Sequence, residues 1–103
     1  MKYGLKDKQL LELDSILAGY SGFDSVWLFG SRAHGTNRVA SDIDLAVKGV
    51  LEPRMLLRMK GAFESSSLPY FVDLVDYDRI DDPMLKKNID LFGVPLYSPS
   101  QVA

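Results

Sequence analysis

LFGSRAHGTNRVASDIDLAV, residues 28–47, puts a Gly-Ser step at the end of one apolar run and an Asp-x-Asp step at the start of the next. The first run, Ser25-Val26-Trp27-Leu28-Phe29, is β-branched and aromatic and stops at Gly30, which predicts a buried strand. Ser31 to Ser41 is polar. Acid and apolar residues then alternate through Asp42-Ile43-Asp44-Leu45-Ala46-Val47 before Lys48-Gly49, which predicts a second strand whose start carries a charged face.

Upstream of this pair, Leu10, Leu11, Leu13, Ile16, Leu17 and Tyr20 recur at three- and four-residue intervals, predicting an amphipathic helix from Asp7, as N-cap, to about Tyr20. Downstream, Pro53 suits a first helical position, and Met55, Leu56, Met59, Ala62 and Phe63 form an apolar stripe through Glu64. Tyr70 to Tyr77 predicts a third strand. Asp82-Pro83 opens a last helix through Leu85, Ile89 and Phe92, which Gly93 can end, and Val94-Pro95-Leu96-Tyr97 adds a short extended piece. The order helix, strand, strand, helix, strand, helix predicts an α+β fold: a small sheet covered on one side by helices, with residues 1–103 as a single domain.

Composition narrows the classes. At 47% hydrophobic and 11% aromatic, the 103 residues suit one globular domain and exclude disorder or a fibre. Little length remains for a second lobe, so a partner is expected to complete the site. Twelve basic residues against fourteen acidic ones leave a net charge of -2, which disfavours direct binding to nucleic acid or an anionic membrane. The absence of cysteine excludes disulfide scaffolds, thiolate zinc sites and thiol catalysis. With no apolar run of membrane-spanning length, a soluble cytoplasmic protein is expected.

Three carboxylates stand on apolar strands. Residues i and i+2 of a strand share a face, roughly 6.5 to 7 Å apart, so Asp42 and Asp44 project together. Asp73, between Phe71-Val72 and Leu74-Val75, would be expensive to bury unpaired, and joins them if the two strands are neighbours. Hard oxygen donors without nearby His or Cys suit Mg²⁺ or Mn²⁺, and two such ions about 3.5 to 4 Å apart serve phosphoryl transfer. Gly30 permits close backbone approach, and the Ser31 hydroxyl and neighbouring N–H groups can donate to phosphate oxygens.

Gly30-Ser31, ten residues, then Asp42-Ile43-Asp44 resembles the GS-x(10)-DxD signature of the DNA polymerase β-type nucleotidyltransferase superfamily. Residues 28–47 are similar to its minimal nucleotidyltransferase (MNT) branch, and FESSSLPYFVDLVDYDRI, residues 63–80, is similar to the segment with that branch's third aspartate, here Asp73. The resemblance implies a palm-like mixed sheet backed by helices, and transfer of a nucleoside monophosphate from a nucleoside triphosphate with release of pyrophosphate. It further implies that Asp42 and Asp44 bridge two Mg²⁺ ions, that Asp73 completes the ion nearer the acceptor, and that Gly30 and Ser31 hold the triphosphate of ATP. Arg32, in the same loop, reads as a further nucleotide-binding candidate, its alternatives being a partner contact or a solvated charge. Members of the branch are typically encoded beside a helical HEPN-type toxin. The implied function is then an antitoxin that adds AMP to a tyrosine of that partner.

Other readings remain at this level: a non-catalytic antitoxin that occludes its partner, or nucleotidylation of a small molecule such as an aminoglycoside. Gly30 to Thr36 mimics a phosphate loop but lacks the lysine before Thr36 and the long helix after it. His34 and Arg54, Arg58 and Lys60 read as surface residues, and Arg38 as a phosphate or partner contact or a solvated charge. Asp76, Asp78, Asp81 and Asp82 read as caps rather than site residues.

Overall fold

The computed structural model describes residues 1–50 and 52–99. Strands β1 (Ser25–Phe29), β2 (Ile43–Lys48), β3 (Val72–Asp76) and β4 (Val94–Tyr97) form one sheet in the order β3-β2-β1-β4. β1 runs antiparallel to both β2 and β4, and β2 runs parallel to β3. A parallel pair needs a crossover, which α3 (Pro53–Glu64) supplies. The other helices are α1 (Asp7–Ala18), the single turn α2 (Ser31–His34) and α4 (Pro83–Phe92).

Strand parity assigns the two faces. Val26 and Leu28, then Ile43, Leu45 and Val47, then Val72 and Leu74 meet Leu13 and Leu17 of α1 and Met55, Met59 and Phe63 of α3 in the main core. Leu45 stands at the centre of this core with no exposed surface. Leu45→Ala is expected to cost about 2–5 kcal/mol, read as a fall in the urea midpoint at unchanged m-value.

The opposite parity carries Asp44 and Asp73, and also Phe29 and Ala46, on which Ile89 of α4 packs with Trp27, Val75 and Leu85 around it. The mixed sheet and its helices are as expected, with one difference: α4 lies on the second face instead of joining α1 and α3. The strands SVWLF and IDLAVK hold apolar residues at both parities, so both faces needed cover.

Other differences lie at element ends. Lys6, not Asp7, is the N-cap of α1, and its N–H donates to Gln9 Oε1 at 2.9 Å, while Asp7 opens the helix, where its charge suits the dipole. The strand expected from Asp42 starts at Ile43, whose N–H donates to the Phe71 carbonyl as the first rung toward β3. The stretch Ser31–Ser41, expected as a polar loop, contains α2 because Gly30 (φ 75°) and Gly35 (φ 78°) bend the chain in and out of one helical turn. The extended piece 94–97 is the sheet's fourth strand. Asp82 caps α4 by accepting from Met84 N–H at 2.9 Å, and Asp76 caps the 3-10 turn at Tyr77–Arg79, both as expected.

Candidate active site

The parallel register sets Asp44 directly opposite Asp73, so the two carboxylates leave neighbouring strands on the same face. Asp42 lies just before β2 and is exposed. Burial raises the Asp44 pKa first, the charges of Asp73 and Asp42 raise it further, and the Arg32 guanidinium opposes them. The three acids are therefore close enough for their charges to act on one carboxyl group. Among the described residues no three acidic or histidine side chains already stand together tightly enough to enclose a metal ion.

Gly30 forms the other wall. Phe29 pairs with Asp44 across β1 and β2, so the chain turns away immediately beside that carboxylate. Gly30 has φ 75° and ψ -156°, a region essentially reserved for glycine, and a Cβ there would run into Asp44 Oδ2 and stand 3.2 Å from Cγ. Ser31 follows as the first residue of α2, with its side chain half-buried next to this step.

Arg32, for which a nucleotide contact is expected, turns inward. It is the one buried charged residue among those described, 2% exposed, and its N–H groups serve the protein itself. Nε and Nη2 donate to the Ser41 carbonyl at 3.2 and 2.8 Å, Nη2 also to the Val39 carbonyl at 3.4 Å, and Nη1 to the Tyr3 carbonyl at 2.9 Å. The Tyr70 ring lies 4.4 Å from its Cζ. The polar stretch from Ser31 to Ser41 gave no sign of this inward turn. Arg32 is the second residue of a helical turn that Gly30 aims back at the loop.

The remaining loop residues match a surface reading. His34 is exposed and its ring lies 4.7 Å from that of Phe92 at the end of α4. Arg38 is exposed, and its N–H donates to Ser41 Oγ at 2.8 Å. Farther down the acid-bearing face, Lys48 sits over the rings of Trp27 (4.0 Å) and Tyr77 (4.6 Å), and Lys86 over Tyr77 (4.8 Å). The Tyr77 hydroxyl donates to Asp90, a bond that raises its pKa. This cluster, undetected in the sequence, fastens α4 to the sheet. Its residues are scattered from 27 to 90 and only the fold gathers them.

Comparison with known proteins agrees with this geometry. Residues 12–102 match the family described as Polymerase beta, Nucleotidyltransferase. Over 76 residues the chain is 40% identical to "Probable protein adenylyltransferase MntA" of Haemophilus influenzae, a match covering 71% of this chain and 66%, just under two thirds, of that relative. A crystal structure of a toxin–antitoxin with AMP-PNP contains a chain with TM-score 0.68 and 25% identity, covering 93% of this chain and 77% of that one. A mutant MntA–HpeT toxin–antitoxin complex gives 0.65 and 26%, covering 94% and 76%. Among the described residues no helix is long and apolar enough to cross a membrane. With a Gly-Ser step set against paired strand aspartates and a family match that spans residues 12–102, the chain belongs to the polymerase beta nucleotidyltransferase family.

Proposed function

We propose that the protein transfers AMP from ATP to a hydroxyl, a tyrosine in the first instance, of a helical HEPN-type protein encoded beside it, and so acts in the cytoplasm as the antitoxin of a toxin–antitoxin pair. The observation that carries this reading is the Asp44–Asp73 register, with Asp42 acting on the same carboxylate and Gly30 closing the other side. The relative named as a protein adenylyltransferase and the toxin–antitoxin structure holding AMP-PNP support the substrate and the partner.

Two Mg²⁺ ions, or Mn²⁺ in their place, fit the donor set. All three acids offer hard oxygens, and their mutual repulsion at Asp44 is the kind that a divalent cation relieves. Asp42 and Asp44 would hold both ions and Asp73 the one nearer the acceptor. Bound there, they supply charge neutralisation on the triphosphate and a lowered pKa for the acceptor hydroxyl.

The chain's own residues do the rest. Gly30, without a side chain, lets the triphosphate approach the backbone, and the Ser31 hydroxyl and N–H donate to its oxygens and fix its direction. Asp73, on the edge strand of the sheet, would also take the acceptor's proton, a need that metal ligation of the acceptor already lowers. The acceptor oxygen then bonds to the α-phosphorus, the bond from that phosphorus to the leaving oxygen breaks in line, and pyrophosphate departs.

With Mg²⁺ and ATP labelled at the α-phosphate, the protein is expected to label its genomic neighbour, and the mass of that neighbour to rise by whole AMP units. A partner that binds tightly but stays unlabelled would replace transfer with occlusion. Label on an aminoglycoside instead would move the acceptor to a small molecule.

A further inference from the structure

We propose that the amino-terminal turn from Lys2 to Leu5 is a working part of the active-site loop, holding the residue ahead of Asp42 in place through the buried Arg32. The proposal rests on the reading of Asp42 as a site acid. Arg32 is buried, yet no carboxylate pairs with it among the described residues, where the only ion pair joins Arg79 and Asp76. A buried guanidinium is tolerable in such a place only if its N–H groups meet acceptors, and here three backbone carbonyls and the face of Tyr70 surround it.

Those contacts join three segments that are far apart in sequence. Val39 and Ser41 belong to the loop leading into β2, Tyr70 to the approach to β3 three residues before Asp73, and Tyr3 to the amino-terminal turn. The Ser41 carbonyl accepts twice from Arg32, and it belongs to the planar peptide from which Asp42 departs. Holding that plane limits where the Asp42 carboxylate can go. Arg32 is thus a positioning residue, acting on the acids through the backbone.

The turn is built to present one carbonyl. Lys2 N–H donates to Leu5 O at 3.2 Å and Leu5 N–H to Lys2 O at 2.9 Å, and the two central residues are both left-handed, Tyr3 at φ 58° and Gly4 at φ 71°. Such a φ is uncommon for a tyrosine, and here it accompanies a Tyr3 carbonyl that accepts from Arg32. Leu5, with no exposed surface, anchors the turn in the core. A Cβ at Gly4 would run into Asn37 Nδ2 and stand 2.8 Å from Arg32 Nη1, so a side chain there forces one or both of those groups to shift. The turn precedes residues 12–102 that match the family.

Gly4→Val in the full chain tests this, with Arg32→Lys as the second variant because it keeps the charge but not the fork of donors. Two quantities are read: amide chemical shifts of Ser41, Asp42 and Ile43, and the affinity for Mn²⁺ from its paramagnetic resonance signal. Both variants are expected to shift those amides and to weaken Mn²⁺ about tenfold or more, the scale for groups that orient metal ligands, while ATP binding without divalent ions stays unchanged. Unmoved amides in a folded Gly4→Val protein overturn the proposal. So does a loss of metal-free ATP binding on Arg32→Lys, which would make Arg32 a phosphate contact. If Gly4→Val does not fold, the smaller Gly4→Ala, whose Cβ meets the same atoms, decides by the same shifts. A wild-type chain that binds no Mn²⁺ removes the proposed reaction, and the shifts still decide the turn's role.

Discussion

Asp44→Asn should reduce nucleotidyl transfer by a factor of about 10²–10³ or more while leaving the folded protein at least as stable as before. The two effects have one origin. Asp44 stands directly opposite Asp73, and the fold disfavours its charged form, chiefly by burial and then by repulsion from Asp73 and Asp42. An asparagine keeps the shape and one oxygen but removes the charge. The proposed metal site then loses one of its three carboxylates, and the fold loses an electrostatic cost. Transfer is read by label from ATP on the partner, and stability by thermal unfolding in metal-free buffer. A fall in melting temperature alongside lost activity would mean that Asp44 serves the fold instead.

The pH dependence follows with a definite sign. Because the folded-state pKa of Asp44 is raised, the native state binds this proton more tightly than the unfolded chain does. That contribution is fully present below the ordinary carboxylate range and is lost as pH rises through the raised value. At neutral pH without metal the ionised Asp44 therefore counts against folding. Asp44→Asn should remove this part of the pH dependence, and a divalent ion bound in the wild type should oppose it. Comparing melting temperatures of the two proteins across the acidic range, with and without Mn²⁺, checks both statements.

How much of this was legible in the sequence depends on the distance over which each feature is specified. The acids were readable because strand period and apolar flanks are local. Asp42 and Asp44 share a parity, and Asp73 sits in a run that can only be a buried strand. That Asp44 and Asp73 face one another required the parallel pairing of β2 and β3, which a crossover helix between them made the natural topology. The cover of the second face by α4 was signalled by apolar residues at both parities of β1 and β2, a sign the alternation at Asp42–Asp44 masked. The burial of Arg32 was not legible because a polar residue in a polar loop gives no local sign of facing inward. Its partners Tyr3, Val39, Ser41 and Tyr70 are gathered only by the folded chain. The same holds for the Lys48, Tyr77 and Asp90 cluster.

Gly30→Ala is the second large effect expected, and unlike Asp44→Asn it should damage fold and function together. The backbone at φ 75° and ψ -156° is one that an alanine adopts only at a cost of about 1–3 kcal/mol. The new Cβ would also meet the Asp44 carboxylate, so either that carboxylate leaves its place opposite Asp73 or the Gly30-Ser31 step moves away from it. Both displacements separate the acids from the proposed phosphate donors, and transfer should fall about a hundredfold, the scale for misplacing a reacting group by about 1 Å. Gly35 provides the control. It is also left-handed, at φ 78° and ψ 14°, but a Cβ there meets nothing within 4 Å, and asparagine tolerates that conformation. Gly35→Asn should leave activity nearly intact. A double-mutant cycle separates the two costs at Gly30: in an Asp44→Ala background the collision with the carboxylate oxygen is gone but the backbone strain is not, so Gly30→Ala should destabilise that background less than it does the wild type. Equal destabilisation in both backgrounds would show that the cost is conformational alone and that the carboxylate does not press on Gly30.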